Sequence, residues 1–232
     1  MEEHHFGGDA VAAHRDLIDV SGSTRSRDVI SGDNLEFHRT DGSDADATRR
    51  YQTLYAEVVN PSVGGDDQIR TGSGDKVVLG GLGDDRIETQ TQTGDLDVVP
   101  GDAGSVVFDS TGNGQLSQIR SASLNAGGQD QIVVGAGTTY VVAGLGNDTI
   151  DLSGRLANSL TTLTGKDAGW ILGTATGMAQ SGLSASTDMA TASQNQGTGF
   201  KFQGFENFIG GRGSDVVRVR DGAYLSGSIN GE

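Results

Sequence analysis

The sequence predicts an all-β chain wound as a solenoid of short strands, with hairpins leaving it, on three observations. Glycine–aspartate nonapeptides recur in tandem, a short β-rich apolar stretch follows most of them, and no helical pattern of ten or more residues occurs after residue 20. Repeats of this kind cannot bury an apolar face alone, so they stack on their neighbours and share one continuous core.

Residues 62–88 divide into SVGGDDQIR, TGSGDKVVL and GGLGDDRIE. Residues 125–151 divide in the same way into NAGGQDQIV, VGAGTTYVV and AGLGNDTID. The two blocks superpose with an offset of 63, which aligns Gly65 with Gly128, Asp67 with Asp130 and Asp85 with Asp148. A further copy, GGRGSDVVR, carries Asp215, and weaker remnants surround Asp28 and Asp97. A second repeat interleaves with the first. ISGDNLEF at 30–37 resembles VPGDAGSVVF at 99–108, and each precedes a polar turn and another β-rich stretch. Each pair reads as a β-hairpin arm.

Three segments follow. Residues 1–61 hold degenerate solenoid turns and a hairpin arm, 62–151 the two nonapeptide blocks with the second hairpin between them, and 152–232 a Ser/Thr/Gly-rich segment with C-terminal turns. In the last segment Leu160 to Leu163, Trp170 to Leu172 and Phe200 to Phe202 read as short strands. The polar stretch from Thr174 to Gly199 reads as a mobile excursion. Phe200, Phe202, Phe205, Phe208 and Trp170 read as core or cap rather than as a ligand platform.

Composition narrows the function. Glycine fills 38 of 232 positions, against a usual share of roughly 7%, and so much glycine implies turns that other residues cannot make. The formal net charge of −15 repels nucleic acid and anionic membranes. It also favours a divalent cation at aspartate-bearing turns. There is no cysteine, so neither disulfide nor thiolate metal site is available. No apolar run reaches the ~18 residues of a membrane helix. The N-terminal MEEHHFGGDA lacks the apolar core of a signal peptide, so an export signal is expected elsewhere, or the chain is part of a longer protein.

The nonapeptides approach G-G-x-G-x-D-x-U-x, with U a large apolar residue. The glycines allow tight turns with positive φ and inward carbonyls. The sixth-place aspartate adds a hard anionic oxygen, and calcium takes six to eight oxygens at about 2.3–2.6 Å. One turn cannot fill that shell, so adjacent turns must share the ion, and binding becomes part of folding.

GGLGDDRIE, AGLGNDTID and GGRGSDVVR resemble the repeats-in-toxin, or haemolysin-type calcium-binding, family. FENFIGGRGSD and the GDN and GDA segments resemble lead-ins found in large bacterial repeat adhesins. The resemblance implies a parallel β-roll, extracellular Ca2+ and secretion or display at the cell surface. Two nonapeptides make one turn in that fold, so residues 18 apart stack. Asp67 with Asp85, and Asp130 with Asp148, are therefore expected to share ions. Gly65, Gly81, Gly83, Gly128, Gly144 and Gly146 are expected to supply the turn carbonyls, and Asp215 a site in the last repeat. The middle units carry Lys76 and Thr139 at the sixth place. The ammonium of Lys76 is expected to exclude calcium and to bond carbonyls itself, and Thr139 to rely on water or direct hydrogen bonds.

The resemblance fixes no single activity, since toxins, proteases, lipases, epimerases and adhesins share the repeat. The sequence holds no nucleophile–base set: GDAGS at 101–105 has alanine where a nucleophile elbow has serine, and the glycine turns lack the lysine of a phosphate loop. His4, His5 and His14 cluster near the N-terminus but are not expected to form a zinc site, and His38 stands alone. The expectation is a non-enzymatic structural module of adhesin or matrix type, whose partners are calcium and either copies of itself or cell-surface glycans. A self-assembling surface-layer or fibre subunit and a carbohydrate-active β-helix are the alternatives.

Overall fold

In the computed structural model the described residues are 3–6, 15–24, 27–39, 53–58, 63–90, 92, 95–108, 116–121, 127–135, 138–151, 159–165, 168–173, 199–203, 205–209, 216–219 and 221–230. Among them there is no helix, and the strands, numbered in chain order, form three sheets. A seven-stranded, wholly parallel sheet consists of β2 (Leu17–Val20), β6 (Gln68–Thr71), β8 (Arg86–Glu88), β12 (Gln131–Val133), β14 (Asp148–Asp151), β18 (Phe205–Ile209) and β20 (Ile229–Asn230).

A nine-stranded sheet runs in the order β1 (Glu3–Phe6), β3 (Arg27–Ser31), β7 (Asp75–Leu79), β9 (Leu96–Pro100), β13 (Thr138–Val142), β17 (Gly199–Gln203), β16 (Ala168–Gly173), β15 (Ser159–Gly165) and β19 (Val216–Val219). It is parallel except where β16 pairs antiparallel with β15 and β17. The three short strands expected between residues 160 and 202 are β15, β16 and β17. Residues 174–198, the bulk of the expected polar excursion, lie outside the described residues.

From β2 to β14 the chain alternates between the two parallel sheets, broken only by two hairpins. These are β4 (Leu35–Arg39) with β5 (Thr53–Val58), and β10 (Gly104–Phe108) with β11 (Leu116–Ser121), the two arms expected from the sequence. They pair with each other through β5 and β10 and so make one four-stranded antiparallel sheet.

Two cores hold the three layers. Ile69, Ile87, Ile132 and Ile150 align rung by rung in the seven-stranded sheet and pack against Ile30, Val78, Val99 and Val141 of the nine-stranded one. On the opposite face of the nine-stranded sheet, Val29, Val77, Leu79 and Val98 pack against Ala56, Val58, Val106 and Phe108 of the hairpins. This layering explains the strand sequences. The seven-stranded sheet has one covered face, so QIRT alternates buried Ile69 with exposed Arg70. The middle of the nine-stranded sheet is covered on both faces, so VVL in β7 and VVP in β9 are apolar without alternation. Each fully buried aliphatic side chain contributes roughly 1.5–3 kcal/mol.

Candidate metal centre

The connections from the nine-stranded to the seven-stranded sheet stack along one edge of the molecule. Their residues align column by column. Gly80-Gly81-Leu82-Gly83-Asp84-Asp85 and Ala143-Gly144-Leu145-Gly146-Asn147-Asp148 are uninterrupted turns. Between them Gly101-Asp102 is followed by the second hairpin and then by Gly127-Gly128-Gln129-Asp130. The bridge between Gly81 and Asp102 and the hydrogen bonds from Gly80 N to Pro100 O and Gly101 N to Val142 O fix this alignment. Gly32-Asp33 and Gly64-Gly65-Asp66-Asp67 are the same split turn around the first hairpin, with Gly32 N donating to Leu79 O. Each hairpin is thus inserted between the second and third positions of one nonapeptide.

Aspartate closes each gap. Asp102 Oδ1 accepts from Gly128 N at 3.0 Å in its own turn, and its Oδ2 accepts from Leu145 N in the next. Asp33 likewise accepts from Gly65 N and, at 2.7 Å, from Leu82 N. Both side chains are buried.

The sixth-place aspartates form one continuous column rather than the two separate pairs expected. Asp16 N donates to Asp67 Oδ1 at 2.7 Å, Asp67 N to Asp85 Oδ1 at 2.8 Å, Asp85 N to Asp130 Oδ1 at 3.0 Å and Asp130 N to Asp148 Oδ1 at 2.8 Å. Asp148 N then donates to Glu206 Oε2 at 2.8 Å. The step from Asp85 to Asp130 spans 45 residues, yet it is one rung, because the hairpin leaves and returns at the same turn. Asp67, Asp85, Asp130 and Asp148 are at most 2% exposed.

One oxygen of each carboxylate is therefore saturated by main chain. The other, Oδ2 of Asp67, Asp85, Asp130 and Asp148, is buried without a hydrogen-bond partner. Those of Asp67, Asp85 and Asp130 face glycine walls. A Cβ built on Gly32 would collide with Asp67 Oδ2 and the Gly80 carbonyl together. One on Gly80 would meet Asp85 Oδ2 and the Gly101 carbonyl, and one on Gly101 would meet Asp130 Oδ2 and the Ala143 carbonyl. At three successive levels an orphan carboxylate oxygen and a carbonyl oxygen of the following turn thus flank the same small space. Among the described residues no group of three His, Cys, Asp or Glu side chains stands ready for a metal. The convergence is of one carboxylate with main-chain oxygens, a donor set that suits a hard cation.

Gly65, Gly83, Gly128 and Gly146 make a parallel column in which each carbonyl abuts the next glycine. Gly83 and Gly146 have φ of +119° and +155°, and Gly81 and Gly144 have +121° and +117°, as expected for these turns. Gly65 and Gly128 do not share that conformation and instead supply close carbonyl approach. Asp215 lies outside the described residues.

Burial pushes Asp67, Asp85, Asp130 and Asp148 upward. Asp85 rises to about 10, from desolvation first and the charge of Asp130 second. Asp130 rises to about 8, and Asp67 and Asp148 to about 7, each chiefly through desolvation. Asp33 and Asp102, bonded to main-chain N–H groups, reach only about 6. Without a cation Asp85 and Asp130 hold protons at neutral pH.

The opposite edge is built differently. Asp28, Lys76, Asp97 and Thr139 align in register there. The Lys76 ammonium donates to the Ser73 carbonyl and lies 3.3 Å from Asp28 Oδ2. Direct hydrogen bonds join these turns as well: Gly74 N donates to Asp95 Oδ2 at 2.7 Å, and Leu96 N to Asp75 Oδ1 at 2.9 Å. His4 and His5 lie on β1 and His38 on β4, and His14 lies outside the described residues. No family model, curated protein or solved structure matches the chain.

Proposed function

We propose that the chain is a calcium-loaded parallel β-roll that serves as a structural module of a secreted or cell-surface bacterial protein of adhesin or matrix type. The observation that carries this reading is the column of Asp67, Asp85, Asp130 and Asp148, each with one buried oxygen lacking a partner. A divalent cation between successive turns satisfies the free oxygens of Asp67, Asp85 and Asp130 together with the carbonyls of Gly80, Gly101 and Ala143, and its charge offsets that of the ionised column. The alternation of the chain between two parallel sheets is what a roll requires, and the resemblance of the nonapeptides to calcium-binding repeats agrees with it. The module contributes rigidity and spacing, because each bound ion ties two turns and the hairpin sheet braces the nine-stranded sheet from outside.

Far-ultraviolet circular dichroism and light scattering, followed while calcium is added to chelator-treated protein, test this function. The β signal is expected to be weak in chelator and to return in the millimolar calcium range found outside cells, with scattering constant. A β signal indifferent to calcium contradicts the reading. A rise in scattering in step with the β signal would favour an assembling subunit over a monomeric module.

A further inference from the structure

We infer that the ammonium of Lys76 is the resident cation of the second edge, holding its turns together as a divalent ion holds those of the first. The comparison with the first edge rests on the calcium reading, whereas the role of Lys76 stands on its own contacts.

Lys76 is 1% exposed and stands, with Phe205, among the largest fully buried side chains of the described residues. A lysine so placed is costly unless its charge is met. Here it is met from two rungs. Within its own turn the ammonium donates to the Ser73 carbonyl, and on the adjacent strand it contacts Asp28 Oδ2 at 3.3 Å. That oxygen also accepts from Ser23 Oγ at 2.6 Å, which ties in the turn between β2 and β3.

The strand on the other side places Asp97 in register with Lys76, itself fully buried. Three neighbouring rungs therefore read negative, positive, negative, and the next rung, Thr139, is uncharged. On the first edge every rung from Asp16 to Glu206 is acidic and none is basic. An ammonium offers three N–H donors in a compact head on a flexible stem, so it can reach a carbonyl of one turn and a carboxylate of another. A single lysine thus performs on the second edge the cross-linking that needs an external ion on the first. The two edges consequently differ in what holds them: one is set by ambient calcium and the other is constant.

A double-mutant cycle on the full chain in excess calcium tests this. The variants are Lys76→Met, which keeps the volume without the charge, Asp28→Asn and the pair together. Melting temperature and bound calcium are measured for each. Lys76→Met is expected to lower the melting temperature by about 10 °C, since it strands a buried carboxylate. Adding Asp28→Asn is expected to recover at least half of that loss, and Lys76→Met is expected to bind as much calcium as the parent. A stem that merely fills space would give losses that add, and additive losses overturn the inference. So does a bound ion lost with Lys76→Met, since the lysine would then support a metal site rather than stand in for one. If Lys76→Met fails to fold, the double variant decides: folding supports the inference and failure overturns it. A chain indifferent to calcium would undo the proposed function but leave this cycle readable.

Discussion

Saturating calcium is expected to raise the melting temperature at neutral pH by at least about 15 °C over that in chelator. Each site that is loaded only in the folded state adds about 2.7 kcal/mol when calcium stands at a hundred times its dissociation constant. The geometry offers three levels, at Asp67 with Gly80, Asp85 with Gly101 and Asp130 with Ala143. For a chain of this size each kilocalorie is worth roughly 2–4 °C. The shift is reinforced from the other side, because any acid of the calcium-free column that ionises is buried beside another acid with no basic rung between them. Differential scanning fluorimetry or calorimetry in the two conditions checks it, and equal melting temperatures would remove calcium from the account of stability.

The second large effect is on pH. The folded-state pKa values of Asp67, Asp85, Asp130 and Asp148, at about 7, 10, 8 and 7, lie above the ordinary carboxylate value of 3.8. Between that value and the raised ones, the folded chain holds protons that the unfolded chain has released. Stability without calcium is therefore greatest near the ordinary carboxylate pKa and declines as pH rises through neutrality. Calcium would require the ionised carboxylates, so its affinity is expected to move the opposite way, strengthening with pH, and its binding to release protons. In chelator, urea midpoints should fall from mildly acidic to mildly alkaline pH. Calorimetric titrations should show tighter calcium binding over the same range, with a heat that depends on the ionisation enthalpy of the buffer. Calcium-free stability that rises with pH would contradict the burial of these acids.

Much of this arrangement is legible in the residues themselves. The apolar residue two places after each turn aspartate, as in Asp67 to Ile69 and Asp85 to Ile87, announces the inward ladder of the seven-stranded sheet, and the glycines announce the turns. The hairpins are legible because a polar stretch separates two β-rich runs in both copies. What the nonapeptide reading misses follows from insertion. Gly32-Asp33 and Gly101-Asp102 are the first two residues of a repeat whose remainder lies beyond a hairpin, so contiguous nine-residue units take in only Gly64–Asp67 and Gly127–Asp130. The break hides the fact that Asp85 and Asp130 are neighbours. The clue is the aspartate in the second place, where the uninterrupted turns have Gly81 and Gly144: its carboxylate accepts from an N–H of its own split turn and from one of the next turn. The pairing of the two hairpins with each other carries no local signal, since it depends on the distance between turns far apart in the chain.

If the aspartate column is continuous and holds metal, calcium stoichiometry depends on its middle residue. Equilibrium dialysis of the intact chain and of Asp85→Ala, with bound calcium measured by atomic emission, isolates the middle of the column, where Asp85 donates its N–H to Asp130 and accepts from Asp67. Asp85→Ala is expected to lose at least one bound ion and to bind calcium more weakly at the adjoining levels. Stoichiometry and affinity identical to the parent would contradict this, because an aspartate at the centre of the column would then hold no metal.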